Sequence, residues 1–164
     1  MTLDDERTVS TNSGYPWEGI NMDYDVEKLL SMSQADLDTL FSKSAAGEIP
    51  DGEADGTAIV APGTKFTSNI AKFISNFAWQ GKVFDAGKGV LKNRILPFGL
   101  NAIIAKVYKG ESWLDGKECI VLDYSDTSIV AQWIRDEIRQ IEPGFYLGKV
   151  YWDKKRLIDF ALKF

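Results

Sequence analysis

Residues 133–148 read WIRDEIRQIEPGFYLG, and the fold turns on whether this stretch is helix or strand. Four charges, Arg135, Asp136, Glu137 and Arg139, occupy five consecutive positions between bulky apolar residues. As a helix, Val130, Ile134, Ile138 and Ile141 form one stripe, but Glu137 falls within about 20° of its centre. An unpaired carboxylate there costs several kcal/mol, roughly the burial penalty of a charge without a partner. As a strand, Arg135, Glu137 and Arg139 share one face and Ile134, Asp136 and Ile138 the other. The Arg–Glu–Arg row then compensates itself, and Glu142-Pro143-Gly144 turns the chain into FYLGKVYW as a hairpin. The strand is the preferred reading from about residue 135, after a short helix or coil. Helical spacing and Trp133 leave the helix open.

Outward from that stretch the texture is regular. Short apolar runs KVFDA, VLKNRIL, NAIIAKVY, ECIVLDY, FYLGKVYW and RLIDFALKF are separated by turn signals. DAGKG and LDGK supply glycines that tolerate positive φ in hairpins. GTAIVAPG adds a first strand closed by Pro62-Gly63. Such spacing predicts a mainly β fold, an antiparallel barrel or sandwich of about eight strands. One amphipathic helix follows the first strand: Phe66, Ile70, Phe73, Ile74 and Phe77 keep to one face, Ser68 or Thr67 caps its start, and Gly81 suits its stop. The first 24 residues are polar and lack periodicity, which predicts a mobile arm. Residues 25–45 form a helical lead-in with Ser33 as N-cap and Leu37, Leu40 and Phe41 at helical spacing. AAGEIPDGEADG reads as a turn-rich loop. Residues 25–164 are thus expected to make one domain.

Composition removes several kinds of chemistry. The 164 residues contain no His and one Cys, so histidine-based triads, histidine-ligated haem and the usual zinc sites are excluded. Cys119 lies in an apolar run and reads as a packed thiol. No cofactor or metal is indicated; acid–base work would fall to Asp, Glu, Tyr or Lys. A net charge of -5 speaks against a nucleic-acid groove. Lys154, Lys155 and Arg156 form the one tight basic run and read as a solvated turn. The N-terminus lacks the form of a secretory signal, and no segment reaches the roughly 20 apolar residues of a membrane span, which makes the cytoplasm the default. DAGKGVLKN lacks the spacing of a phosphate-binding loop.

Function rests on the charged row. If Ile134 and Ile138 pack on the outer wall, Arg135, Glu137 and Arg139 point into a barrel wide enough for one small ligand. The competing reading is a solvated outer face with cross-strand ion pairs. Further polar candidates are Arg94 in mid-strand and Asp123 and Tyr124 at a strand end. Tyr146 and Lys149 lie on opposite faces, at odd spacing.

The segments GEIPDGEADGTAIV, WQGKVFDA, NRILPFG, SWLDGKECIVLDYS, IRDEIR, GFYLGKVYW and FALKF, across about residues 34–164, resemble a group of bacterial proteins of unknown function. The last third also resembles lipocalin-like and fatty-acid-binding (calycin-type) barrels. The Gly-x-Trp start of lipocalins is absent. The resemblance implies an apolar ligand held at an acidic head group by an Arg and a Tyr, roles that fall to Arg135, Arg139 and Tyr146; Arg94 and Tyr124 are further candidate contacts from their strand positions. The leading expectation is therefore binding of a lipophilic small molecule. The alternatives are a cofactor-free cyclase, isomerase or dehydratase using Glu137 or Asp123, and a protein-interaction module. Oligomeric state is not legible.

Overall fold

A computed structural model of the chain describes residues 23–65, 67, 68, 70, 71, 79–95, 104–126 and 131–164. Two short helices precede the sheet, α1 (Val26–Ser31) and α2 (Gln34–Lys43). Asp25 caps α1 by accepting from the Lys28 N–H, and Ser33 caps α2 by accepting from the Asp36 N–H. Eight strands follow: β1 (Gly52–Ile59), β2 (Trp79–Asp85), β3 (Val90–Ile95), β4 (Ile104–Glu111), β5 (Glu118–Asp123), β6 (Ile134–Glu142), β7 (Phe145–Trp152) and β8 (Lys155–Lys163). Each pairs antiparallel with the next and β8 returns to β1, so the sheet is a closed barrel. The expected fold class is borne out. No helix among the described residues is long and apolar enough to cross a membrane.

The deciding stretch is strand, preceded by one 3-10 turn at Ala131–Trp133. Two expectations at the start of the barrel are corrected. Glu53-Ala54-Asp55-Gly56 is part of β1 rather than loop. Its alternation, exposed Glu53, buried Ala54, exposed Asp55, fits a strand whose partner on each side supplies the hydrogen bonds that local propensity does not. Gly81 does not stop a helix. It lies inside β2 at a bulge, with φ 137°, and a Cβ there would meet the Ala54 carbonyl oxygen at 2.0 Å. Ser68, Ile70 and Ala71 are helical, while the rest of the helix expected over 66–79, like the arm over residues 1–22, lies outside the described residues.

Two apolar layers identify the two faces of the wall. One cluster draws Ala54, Phe84, Leu91, Val107, Leu122, Ile138, Val150 and Phe160 from all eight strands, which only a lumen can do. The second joins Leu29, Leu37 and Phe41 of the helices to Cys119, Val121, Phe145, Leu147 and Ala161. It is the outer wall of β5, β7 and β8, roofed by α1 and α2. Cys119 is fully buried there, and burial pushes its thiol up to about 12, in line with a packed rather than a reactive cysteine.

The lumen is tightly filled around Gly148. A Cβ at that position would meet the Phe160 ring at 2.2–2.5 Å. Gly148→Ala therefore has to displace the ring. It is expected to lower the unfolding free energy by about 1–3 kcal/mol in urea titration, the usual cost of overpacking.

Candidate functional site

Strand parity places the charged row of β6. Asp136 shares a face with Ile134 and Ile138, both in the lumen cluster, so Arg135, Glu137 and Arg139 lie on the outer wall. Of the two readings left open by the sequence, the inward-facing row is thereby excluded, and with it Arg135 and Arg139 as contacts inside the barrel. The row is not solvated either: Glu137 and Arg139 are fully buried. The β4–β5 hairpin and α2 cover it, and both are anchored to it.

Arg139 carries most of that anchoring. Its Nε donates to the Glu118 carbonyl at 3.0 Å. Nη1 donates to the Phe41 carbonyl at 2.9 Å and to Asp115 Oδ2 at 2.7 Å. Nη2 donates to Asp115 Oδ1 at 2.7 Å and to the Lys117 carbonyl at 3.1 Å. A guanidinium has five N–H donors, and all are engaged. The Phe41 ring stacks on it, 4.5 Å from centroid to Cζ. Arg139 thus has no donor left for a ligand head group.

Glu137 holds the neighbouring turn. Its Oε2 accepts from the Ser112 hydroxyl at 2.6 Å, and its Oε1 accepts from the Trp113 N–H at 2.8 Å and from Arg135 Nε at 3.0 Å. Arg135 also donates to the Glu111 carbonyl at 2.6 Å and stacks on Trp113. Asp123 accepts from the Ser125 N–H and the Tyr108 hydroxyl, as a strand-end acceptor does. Neither Glu137 nor Asp123 lines a described cavity. A third buried charge group ties α2 to the far side of the wall. Lys149 donates to Asp159 at 3.0 Å and to Asp38 at 2.6 Å, and Gln34 donates to Asp159 at 2.5 Å. Arg156 joins Asp38 at 2.5 Å, so it is not part of a solvated turn. The turn itself is Asp153-Lys154, both at positive φ.

Two of the expected binding residues do face inward. Tyr146 donates to the Glu48 carbonyl at 2.9 Å, and its ring meets Phe164 edge-on at 5.6 Å. Both residues line a cavity of about 260 Å³ at the end of the barrel where β8 finishes and β1 begins. Phe84 packs against Phe164, with ring centroids 5.5 Å apart, and itself lines the neighbouring recess rather than this cavity. Glu48, Asp51 and Glu53 contribute to the cavity wall with Pro50 and Gln140, and among the described lining residues there is no Lys or Arg. Burial raises the Tyr146 hydroxyl to about 12, so it stays a neutral donor. A second recess of about 500 Å³ runs along the β2–β3 hairpin and shares Asp51.

Tyr124 belongs to a separate polar group deep in the lumen, with Lys82 and Asp136. Neither Lys82 nor Asp136 was singled out from sequence, although Asp136 between Ile134 and Ile138 on one strand face is the signal that could have found it. Arg94 pairs in register with Gly81 on β3, and its side chain lies outside the described residues.

No family model and no curated protein matches the chain. A crystal structure of a protein from Thermomonospora curvata is similar to it, with a TM-score of 0.60 and 16% identity over 81% of this chain and 88% of that one. At that identity the likeness shows the barrel fold and nothing finer.

Two measurements check the anchoring. Arg139→Lys loses the planar fork and is expected to lower stability by about 2–4 kcal/mol by denaturant titration, from the loss of charge-assisted hydrogen bonds. Arg139 donates to Asp115 and holds its carboxyl at about 2, against an ordinary 3.8. A depressed carboxylate contributes stability that is complete above the unfolded value and lost as pH falls through the folded one. Stability should therefore fall between pH 3.8 and about 2, and in Asp115→Asn that component of the fall should vanish.

Proposed function

We propose that the protein binds a small, largely apolar molecule at the end of a calycin-like barrel, over the floor made by Tyr146 and Phe164. The observation that carries this reading is the cavity itself: an aromatic floor, a rim of three carboxylates and, among the described lining residues, no Lys or Arg. The volume of about 260 Å³ suits only a compact ligand, being just under the roughly 300–1,000 Å³ usual for small-molecule sites. An acidic head group, which the outer-wall arginines suggested, finds no guanidinium among the described lining residues and would meet the carboxylates of Glu48 and Asp51. Their field favours a neutral or cationic polar end. Tyr146 and the carboxylates supply orientation, and the rings supply the apolar contact.

A matched set sharing one arylalkyl skeleton and ending in an amine, an alcohol or a carboxylate tests it. At ligand concentrations of about 100 times Kd the bound state gains about 2.7 kcal/mol. That should raise Tm by several degrees for the amine or alcohol and leave it unmoved for the acid. Tyr146→Ala should abolish the shift. Absence of any shift across the set, in a protein that unfolds cooperatively, would refute the reading.

A further inference from the structure

The recess along the β2–β3 hairpin, at about 500 Å³, is larger than the end cavity of about 260 Å³ and has no role so far. Its apolar wall comes from facing positions of the hairpin. Phe84 and Leu91 pair in register and are buried, and Val83 and Val90 beside them are half-buried. Its charged lining residues are two aspartates, Asp51 and Asp85, and two lysines, Lys88 and Lys92. Lys88 pairs with Asp85 at 2.9 Å, and Asp51 Oδ1 accepts from the Ala86 N–H at 2.9 Å. Among the described lining residues the two signs therefore balance.

The two hollows adjoin at the start of β1. Asp51 lines both, Gly52 lines the recess and Glu53 the end cavity. Elsewhere the partition is one layer of rings, where Phe84 of the recess packs on Phe164 of the cavity. Gly52 carries no side chain, and a Cβ there would meet nothing within 4 Å. The side-chain wall thus has a gap beside the shared Asp51. The end cavity alone falls just short of the roughly 300–1,000 Å³ of small-molecule sites, and with the recess the space lies well inside that range. The two parts also differ in what they select. Carboxylates without a described Lys or Arg favour a neutral or cationic group in the cavity. Balanced charges in the recess give little net preference for either sign, while its aliphatic and aromatic wall rewards apolar area.

We propose that the two hollows form one site for an amphiphile with a neutral or cationic head and a linear alkyl chain. The head lies over Tyr146 and Phe164 beside the carboxylates. The chain passes over Gly52 and lies along the β2–β3 hairpin against Val83, Phe84, Val90 and Leu91. This rests on the reading of the end cavity and adds to it the class of the ligand. A polymethylene chain suits the path, since it is thin enough for the gap at Gly52 and its gain is proportional to the apolar area it buries.

The test titrates the intact chain with n-alkylamines from butylamine to octylamine, below their aggregation limits, and reads Kd and stoichiometry by NMR. Each methylene that enters the recess should tighten binding by up to about fourfold, the transfer free energy of a buried CH₂. Octylamine should therefore bind one-to-one and at least about thirtyfold tighter than butylamine. Val83→Asn combined with Val90→Asn makes the recess wall polar without adding charge. It should cut the ratio of the butylamine Kd to the octylamine Kd at least about tenfold, because amides against the chain are left unpaired. The butylamine titration of the same variant shows that its end cavity is still formed. Equal affinity along the series would overturn the chain site and leave the end-cavity reading standing. A length-dependent gain that survives in the double variant, or several octylamines per chain, would place the chain elsewhere and overturn the proposal. No binding at any length would overturn both readings together.

Discussion

Closure of an eight-stranded wall forces each strand to give one of its two faces to a lumen only wide enough for side chains or a small ligand. Every other feature follows from that allocation. On β6 it commits Ile134, Asp136 and Ile138 inward and turns Arg135, Glu137 and Arg139 out. On β7 it commits Tyr146, Gly148 and Val150 inward, and the missing side chain of Gly148 makes room for Phe160 from across the pair. The partition is all or none, because a slip of one residue would exchange every side chain between the faces.

The outer face of this barrel is a second interior. Helices α1 and α2 lay Leu29, Leu37 and Phe41 over β5, β7 and β8, and the charges beneath them are buried rather than hydrated. Such charges are tolerated because their donors and acceptors are used. Arg139 joins the helix carbonyl of Phe41, the hairpin carboxylate of Asp115 and the backbone of Glu118 and Lys117. Lys149, Asp159, Asp38 and Gln34 do the same on the other side of α2. This layer fixes where the helices and the β4–β5 hairpin sit, and the geometric demands of these bonds make it more specific than apolar packing alone.

Within the lumen the polarity is sparse and differently arranged. The end cavity joins aromatic rings to a carboxylate rim, while the trio of Lys82, Tyr124 and Asp136 is enclosed by apolar residues of facing strands. Asp136 Oδ1 is buried without a described partner, as are Glu142 Oε2 and the Tyr151 hydroxyl, so incomplete satisfaction is not confined to the lumen.

By itself the sequence determined the fold class, the lead-in helix α2 with its Ser33 cap, the packed thiol of Cys119 and the strands from KVFDA to the end, because turn glycines and period-two patterning act locally. It also determined which residues of β6 share a face. Which face looks inward was decided by tertiary structure alone. The usual cue is that polar residues face water, and it fails when helices cover the outside: residues 145–151 of β7 are buried on both faces. The beginning of β1 and the bulge at Gly81 were likewise illegible, since ladder bonds to β2 and β8 and the approach of the Ala54 carbonyl come from residues distant in the chain. Lys82 meets Asp136 across 54 positions of sequence, and only closure of the barrel brings an amine and a carboxylate so far apart to hydrogen-bonding distance.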